Sequence, residues 1–303
     1  MSRVVLVHGI AQQVNGPETL LAEWYPALCD GVRLAGGVPP AREEVAMAFY
    51  GDLFRKPGRR GEVPLDAEDV TDELERELLL AWWREAAAID PAVPGPEART
   101  RLRTPYLIQR ALHVLSHVRF FAGLAEHVMI SNVRQARLYL TDSAIRQAAR
   151  DRVAQAVTAG TRVVVAHSLG SVVAYETLHR HAAAADLTLV TLGSPLGVRN
   201  LVFDRLDPAP VAAGTADAGG EAGRWPLGRW PKPVATWVNV ADRGDVVALA
   251  KRLAPLFGDR VTDLMVHNGA KAHDVRPYLT ARETGAAIAA GLHRDAAQRA
   301  GAP

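Results

Sequence analysis

A serine with the surroundings of a nucleophile lies near the middle of the chain, in the segment Val163-Val-Val-Ala-His-Ser168-Leu-Gly-Ser-Val-Val-Ala. The β-branched residues before it predict a buried strand, and those after it predict a helix. Ala166 and Gly170, two residues on either side of Ser168, are small enough for a sharp turn between the two elements. Such a turn lifts the Ser168 hydroxyl clear of the sheet at the positive end of the helix. The pattern predicts a nucleophile, and the alternative is a buried serine in an ordinary strand–helix junction.

Two backbone amides are candidates for the oxyanion hole that a nucleophilic serine requires. The Leu169 N–H begins the helix and can point at the negative charge that develops on a carbonyl oxygen. His8-Gly9-Ile10 follows the first predicted strand, where the second donor is expected, and Gly9 lets the backbone turn. We therefore predict the Ile10 N–H as the second donor, whereas the alternative is a glycine at a plain strand end.

The serine also needs a general base, which we expect to be a histidine placed later in the chain. The candidates are His179, His181, His267 and His273. The first two fall on the helix after Ser168 and point away from it. His273 lies between the last predicted strand and the last helix, at the carboxyl edge of a parallel sheet, where ligands bind. This placement favours His273 over His267, although His273 could instead cap the last helix. His167 is predicted to pack and not to act as the base.

An acid that positions the histidine is expected between the serine and the base. The predicted strand Val234–Val240 is followed by Asp242 and Asp245. Either carboxylate could instead serve as a turn or helix-capping residue. Asp245 precedes two valines and so lies where the chain re-enters the core, which favours it as the acid.

Strands that alternate with helices predict a mostly parallel sheet covered on both faces. The predicted strands are Val4–Val7, Val45–Phe49, Arg162–Ala166, Leu187–Leu192, Val234–Val240 and Val261–Val266. The predicted helices include Glu18–Leu34, Thr71–Ala88 with Thr71 as its N-cap, Leu169–His181, Val247–Leu256 and Asp274–Leu292. Residues 55–139 break the alternation and predict one helical insertion. Residues 208–233 are rich in Gly, Ala and Pro and predict a long surface loop.

These motifs resemble those of the lipase/esterase branch of the α/β-hydrolase superfamily. In that branch the Asp of an Asp-x-Val segment after the sixth or seventh strand is catalytic, and Asp245-Val246-Val247 matches it, with Ala248 in place of the expected proline. Gly193-Ser194-Pro195 resembles the Gly-Ser/Thr-Pro turn of lipases. Ala166 departs from the usual glycine at the start of the serine motif.

The resemblance implies one α/β-hydrolase domain over residues 1–303, beginning directly with the His-Gly strand and carrying residues 55–139 as a helical lid. It implies a serine hydrolase that cleaves a carboxylic ester through Ser168, His273 and Asp245 and a covalent acyl-enzyme, without cofactor or metal. A thioesterase, a peptidase or an acyltransferase could use the same three residues. A non-catalytic binding protein of this fold is the remaining alternative.

The resemblance implies a small-molecule or lipid-like acyl substrate, and the composition points to no other partner. Lys plus Arg number 35 and Asp plus Glu 33, and a net charge of +2 gives no reason to expect a nucleic acid. No apolar run approaches the roughly 18 residues that span a bilayer. The first residues lack a signal-peptide pattern, and Cys29 is the single cysteine, so we expect a cytoplasmic protein without a disulfide.

Two features within the insertion admit a second interpretation. The apolar residues 120–130 could line an acyl pocket or touch a membrane surface, although such a stripe is more often core. His113 and His117 are spaced to share a helix face and could bind zinc. Val114 stands where the metalloprotease pattern requires a glutamate, which favours an ordinary helix.

Overall fold

Six strands form one sheet in which every strand runs parallel to its neighbours. The structure, a computed structural model, describes residues 2–55, 65–96, 104–118, 125–181, 183–212 and 226–300. The strands lie in the order β2-β1-β3-β4-β5-β6. They are β1 (Val4–Val7), β2 (Val45–Ala48), β3 (Val163–His167), β4 (Leu187–Leu192), β5 (Val234–Asp242) and β6 (Val261–Val266). All six predicted strands are present, and the sheet is wholly rather than mostly parallel.

The central strands are continuous apolar runs because helices cover both faces of the sheet. Every residue of β1, β3 and β4 is buried, whereas the edge strand β6 exposes Thr262 and Met265. Since the strands are parallel, their carboxyl ends meet at one edge of the sheet. The loops after β1, β3, β5 and β6 therefore converge there.

The helices divide between the two faces of the sheet. They are α1 (Pro17–Leu34), α2 (Glu73–Ile89), α3 (Thr104–His117), α4 (Glu126–Thr141), α5 (Ser143–Ala156), α6 (Leu169–Arg180), α7 (Ala254–Phe257), α8 (Val275–Thr280) and α9 (Arg282–Ala300). Buried residues of α1, α8 and α9 share a core with Val4 and Leu6 of β1. Buried residues of α2 to α6 share the opposite core with Val5 and Val7. Among the described helices, none is long and apolar enough to cross a bilayer.

Three predicted helices differ from the observed ones. The segment predicted helical from Val247 is helical only at Ala254–Phe257, because the Asp263 carboxylate binds the amides of Leu253 and Ala254 and so caps a short helix there. The last predicted helix is two helices, α8 and α9, separated by Ala281, whose backbone is extended. Helix α2 begins at Glu73, and its N-cap is Asp72 rather than the predicted Thr71. The Asp72 carboxylate accepts a hydrogen bond from the Leu74 N–H at 2.9 Å.

The described part of residues 55–139 consists of α2, α3, most of α4 and short turns. Its buried side chains, among them Leu79, Trp83 and Ile130, belong to the same hydrophobic core as Val164 of β3. Helix α5, which follows, leads into β3. The predicted apolar stretch lies partly outside the described residues, and its Met129 and Ile130 are fully buried core.

The predicted loop 208–233 is described at its two ends. Val211 and Leu227 form an antiparallel bridge with amide–carbonyl distances of 2.8 and 2.9 Å. The Trp230 indole donates to the Val234 carbonyl at 2.6 Å, and the Tyr175 hydroxyl of α6 donates to the Arg229 carbonyl at 2.8 Å. The ends of this segment are therefore fixed to the body of the protein.

Candidate active site

Ser168 occupies the turn between β3 and α6 in a rare backbone conformation, with φ 53° and ψ −131°. A non-glycine residue at such angles costs on the order of 1–3 kcal/mol and persists only where its surroundings enforce it. Its N–H donates to the Leu192 carbonyl at 2.9 Å. A Cβ on Gly170 would lie 2.3 Å from the His8 carbonyl oxygen, so only glycine lets α6 approach the end of β1 this closely. The structure therefore contains the sharp turn that the sequence predicts.

His273 lies beside Ser168 and links it to an acid. Its Nε2 is 2.9 Å from Ser168 Oγ, and its Nδ1 is 2.8 Å from Asp245 Oδ2. These are the distances expected of a nucleophile, a base and an orienting carboxylate. His267, the other candidate base, is exposed on the surface after β6. The structure thus brings together Ser168, His273 and Asp245 from the loops after β3, β6 and β5.

Asp245 is fully buried, and both of its carboxylate oxygens are saturated with hydrogen bonds. Oδ1 accepts from the Val247 and Ala248 amides at 2.9 and 3.1 Å. Oδ2 accepts from His273 and from the Tyr278 hydroxyl, the latter at 2.9 Å. Burial alone would raise the pKa of Asp245, but His273 and these hydrogen bonds outweigh it and hold that pKa below its usual value. The carboxylate is therefore ionised at neutral pH.

Asp242, the alternative acid, has a structural role. Its Oδ1 accepts from the Gly244 N–H at 2.6 Å, and its Oδ2 accepts from the Asn268 N–H. It therefore ties the loop after β5 to the loop after β6. Both aspartates cap a turn, and it is Asp245 whose carboxylate is hydrogen-bonded to His273 Nδ1.

Tyr278 is a residue at the site that sequence reasoning missed. Its side chain is fully buried on α8, and its hydroxyl donates to Asp245 Oδ2 while accepting from the Asp242 N–H at 2.9 Å. Burial and the nearby carboxylates raise the pKa of Tyr278, so the hydroxyl remains a donor. The signal available in the sequence was a tyrosine about one turn into the helix that follows the predicted base.

Two buried histidines support the loops around Ser168. His8 Nδ1 donates to the Gly9 carbonyl at 2.7 Å, and its Nε2 accepts from the Tyr50 N–H at 3.1 Å, which joins the loops after β1 and β2. His167 Nε2 donates to the His273 carbonyl at 2.9 Å. Burial lowers the pKa of His8 to about 4 and that of His167 to about 3, so both rings are neutral. His167 thus packs beneath His273, as expected.

The predicted oxyanion donors lie on both sides of Ser168, one at the start of α6 and one on the loop after β1. Leu169 follows it directly, and the loop after β1 is so close that a Cβ on Gly9 would lie 2.7 Å from Ser168 Cβ. Within the described part of the chain, the amides of Ile10 and Leu169 have no hydrogen-bond partner. Two unpaired donors beside a serine hydroxyl can stabilise a negatively charged oxygen.

Hydrogen bonds join helices of residues 55–139 to the loops of the site. The Gln135 side chain on α4 accepts a hydrogen bond from the Ala11 N–H at 3.1 Å. Lys251 donates to Glu85 of α2 at 3.0 Å and also to the carbonyl of Asp245. Ser168 itself is only 2 % exposed, so its hydroxyl lies below the molecular surface.

Within the described ranges, no group of three or more His, Cys, Asp or Glu side chains is arranged so that it could hold a metal ion. The rings of His113 and His117 lie 4.5 Å apart, and His117 Nδ1 donates to the His113 carbonyl at 2.8 Å. This is the contact of two neighbouring side chains on one helix.

Comparisons of the chain with models of protein families, with characterised proteins and with solved structures gave no match.

Proposed function

We propose that the chain is a serine hydrolase that cleaves a carboxylic ester through a covalent acyl-enzyme. The observation that carries this proposal is the hydrogen-bonded series from Ser168 Oγ through His273 to the buried Asp245. The α/β-hydrolase fold is part of the same proposal. It is supported by the all-parallel sheet and by the chain order Ser, Asp, His in loops at one sheet edge.

Acylation begins when His273 Nε2 accepts the proton of Ser168 as Oγ bonds to the ester carbonyl carbon. The carbonyl π electrons move to the oxygen, which receives hydrogen bonds from the Ile10 and Leu169 amides. When this intermediate collapses, the bond to the leaving alkoxide breaks and His273 returns the proton to it. The alcohol departs, and the acyl group remains on Ser168.

Deacylation repeats the sequence with water as the nucleophile. His273 accepts a proton from water as its oxygen attacks the acyl carbon, and the same two amides stabilise the second oxyanion. Collapse breaks the bond to Ser168 Oγ, which recovers its proton from His273, and the carboxylic acid is released.

Asp245 contributes by holding the imidazole in one tautomer. Its carboxylate accepts the Nδ1 proton of His273 and leaves Nε2 free to take the proton of Ser168. When His273 becomes positively charged, the buried carboxylate also stabilises that charge. Tyr278 and the two backbone amides prevent the carboxylate from rotating away.

The contacts of Gln135 and Glu85 support the related proposal that residues 55–139 cover the site as a lid. Both side chains belong to helices of the insertion, and both bind loops that carry site residues. A covered site would exclude bulk water and favour an acyl substrate that enters beneath the helices.

The test is labelling with a fluorophosphonate, in which an activated serine displaces fluoride from phosphorus. We expect the native chain to be labelled at Ser168 and to hydrolyse a short p-nitrophenyl ester. Ser168→Ala should abolish both reactions, whereas Ser143→Ala, at an exposed serine on α5, should alter neither.

Circular dichroism and the melting temperature establish that each variant is folded. A folded Ser168→Ala variant with native esterase activity would refute the assignment of the nucleophile. A folded native chain that is neither labelled nor active would favour the non-catalytic binding protein.

A further inference from the structure

Gln135 on α4 accepts a hydrogen bond from a backbone amide of the loop that follows β1. Its Oε1 accepts from the Ala11 N–H at 3.1 Å, and the residue is only 4 % exposed. The acceptor is fixed in direction, since Nε2 of the same side chain donates to Gln13 Oε1 at 3.2 Å and to Ser131 Oγ at 3.3 Å. A buried amide with both ends bonded presents its oxygen to Ala11 in one orientation.

Ala11 needs such a partner because its backbone is left-handed, with φ 65°. An alanine in this region costs roughly 1–2 kcal/mol relative to the ordinary conformations. Without the bond to Gln135, the loop would relax towards a negative φ at this position. That rotation turns the peptide units next to Ala11, and the preceding residue is Ile10.

The direction of the Ile10 N–H is what matters for the reaction. Gly9 packs directly against Ser168, since a Cβ added at Gly9 would lie only 2.7 Å from Ser168 Cβ. The loop is therefore anchored beside Ser168 at Gly9 and beside α4 at Ala11, with Ile10 between the two anchors. A hydrogen bond to a developing oxyanion requires the donor to be aimed before the reaction begins.

We infer that Gln135 is a positioning residue, which holds the oxyanion loop in its active shape from the insertion. The inference rests on the proposed hydrolase function. It gives the insertion a role in the chemical step beyond covering the site, because a displacement of α4 removes the acceptor from Ala11 and misaligns the Ile10 donor. The oxyanion hole is complete only while α4 is seated on the loop.

The experiment compares Gln135→Leu, which removes the acceptor, with Gln135→Glu, which keeps an oxygen acceptor. Gln155→Leu, at an exposed glutamine on α5, is the matched control. Each folded variant is assayed for kcat and KM with a short p-nitrophenyl ester and for the rate of fluorophosphonate labelling. Gln135→Ala, which adds no volume, provides the same comparison if Leu is not accommodated.

We expect Gln135→Leu to lower kcat and the labelling rate by about 10- to 100-fold, because one oxyanion donor is misaligned rather than deleted. KM should change by less than about threefold, since the ground-state carbonyl gains little from the donor. Gln135→Glu should recover most of the rate, and Gln155→Leu should match the native chain. A merely structural contact would instead lower the melting temperature and leave kcat of the folded fraction unchanged.

Two results overturn the inference in distinguishable ways. If the native chain is labelled at Ser168 and folded Gln135→Leu is labelled at the same rate, the positioning role is wrong and the hydrolase proposal stands. If the folded native chain is not labelled at all, the proposed function fails and the inference fails with it.

Discussion

Replacing Asp245 by Asn tests whether a buried carboxylate sets the tautomer of His273. The Asn oxygen can keep accepting from the amides of Val247 and Ala248, which lie 2.9 and 3.1 Å from Oδ1. This orients the new NH2 group into the place of Oδ2, where it faces His273 Nδ1 as a donor. Nδ1 must then be unprotonated, so the ring proton moves to Nε2 and blocks the transfer from Ser168.

The expected loss of activity follows because a hydrogen-bond donor, the Asn NH2 group, replaces an acceptor, Asp245 Oδ2. In serine-protease triads the same substitution lowers kcat about 10⁴-fold through the wrong tautomer. At about 1.36 kcal/mol for each factor of ten, the barrier rises by about 5 kcal/mol. Stability should fall by only about 1–3 kcal/mol, because Tyr278 loses its acceptor at Oδ2 but its hydroxyl oxygen can accept from the new NH2.

The assay is steady-state hydrolysis of a short p-nitrophenyl ester, with urea unfolding to show that the variant is folded. Asp242→Asn is the matched control, since Asp242 is also buried, at the end of β5 just before the loop that carries Asp245, and its carboxylate accepts from backbone amides. It should lose stability and keep kcat within about tenfold of the native value. A folded Asp245→Asn variant that keeps more than about a tenth of native kcat would refute the reasoning. So would an Asp242→Asn variant that loses as much activity as Asp245→Asn does.

Two further predictions concern groups packed around the same residues. Tyr278→Phe should lower kcat by about three- to thirtyfold and destabilise the fold by about 1–3 kcal/mol, because Asp245 loses a donor and the Asp242 N–H loses its acceptor; unchanged kinetics and unchanged urea unfolding would contradict the role given to the hydroxyl. His8 and His167, with pKa values lowered to about 4 and about 3, bind fewer protons when folded than when unfolded. The free energy of unfolding therefore contains their full contribution above about pH 6.5. It decreases as the pH falls, by about 2 kcal/mol for each ring between pH 7 and pH 5. Urea unfolding at the two pH values checks this, and a His167→Gln variant with the same pH dependence as the native chain would contradict it.

The sequence was informative wherever a single local pattern determines the structure. The central strands were predictable because a strand buried on both faces is a short apolar, β-branched run, as in Val163–Ala166 of β3. The serine turn was predictable because two small residues must flank it. The loops that carry Asp245 and His273 followed from the rule that parallel strands end at one edge of a sheet.

The sequence was uninformative where the outcome depends on contacts between distant segments. Asp242 and Asp245 follow the same strand, and the sequence favours one only through the valines after Asp245. The helix expected from Val247 is replaced by irregular chain because Asp263, on another strand, binds the amides that begin the short α7. No sequence motif marks Gln135, because the role proposed for it depends on a contact with Ala11, which is 124 residues away in the sequence.

The order of strands in the sheet has a consequence for how the candidate site is assembled during folding. Strand β1 pairs with β3 across the whole insertion, and Ser168 meets His273 across 105 residues, so the site depends on contacts of long sequence separation. Closing such long loops costs entropy before any contact is gained, which makes topologies of this kind slow to fold. Helices can form early from local interactions, whereas the nucleophile and its base meet only when the sheet is assembled. Recovery of hydrolysis during refolding would therefore mark the end of folding, after the signals of helix formation have reached their final values.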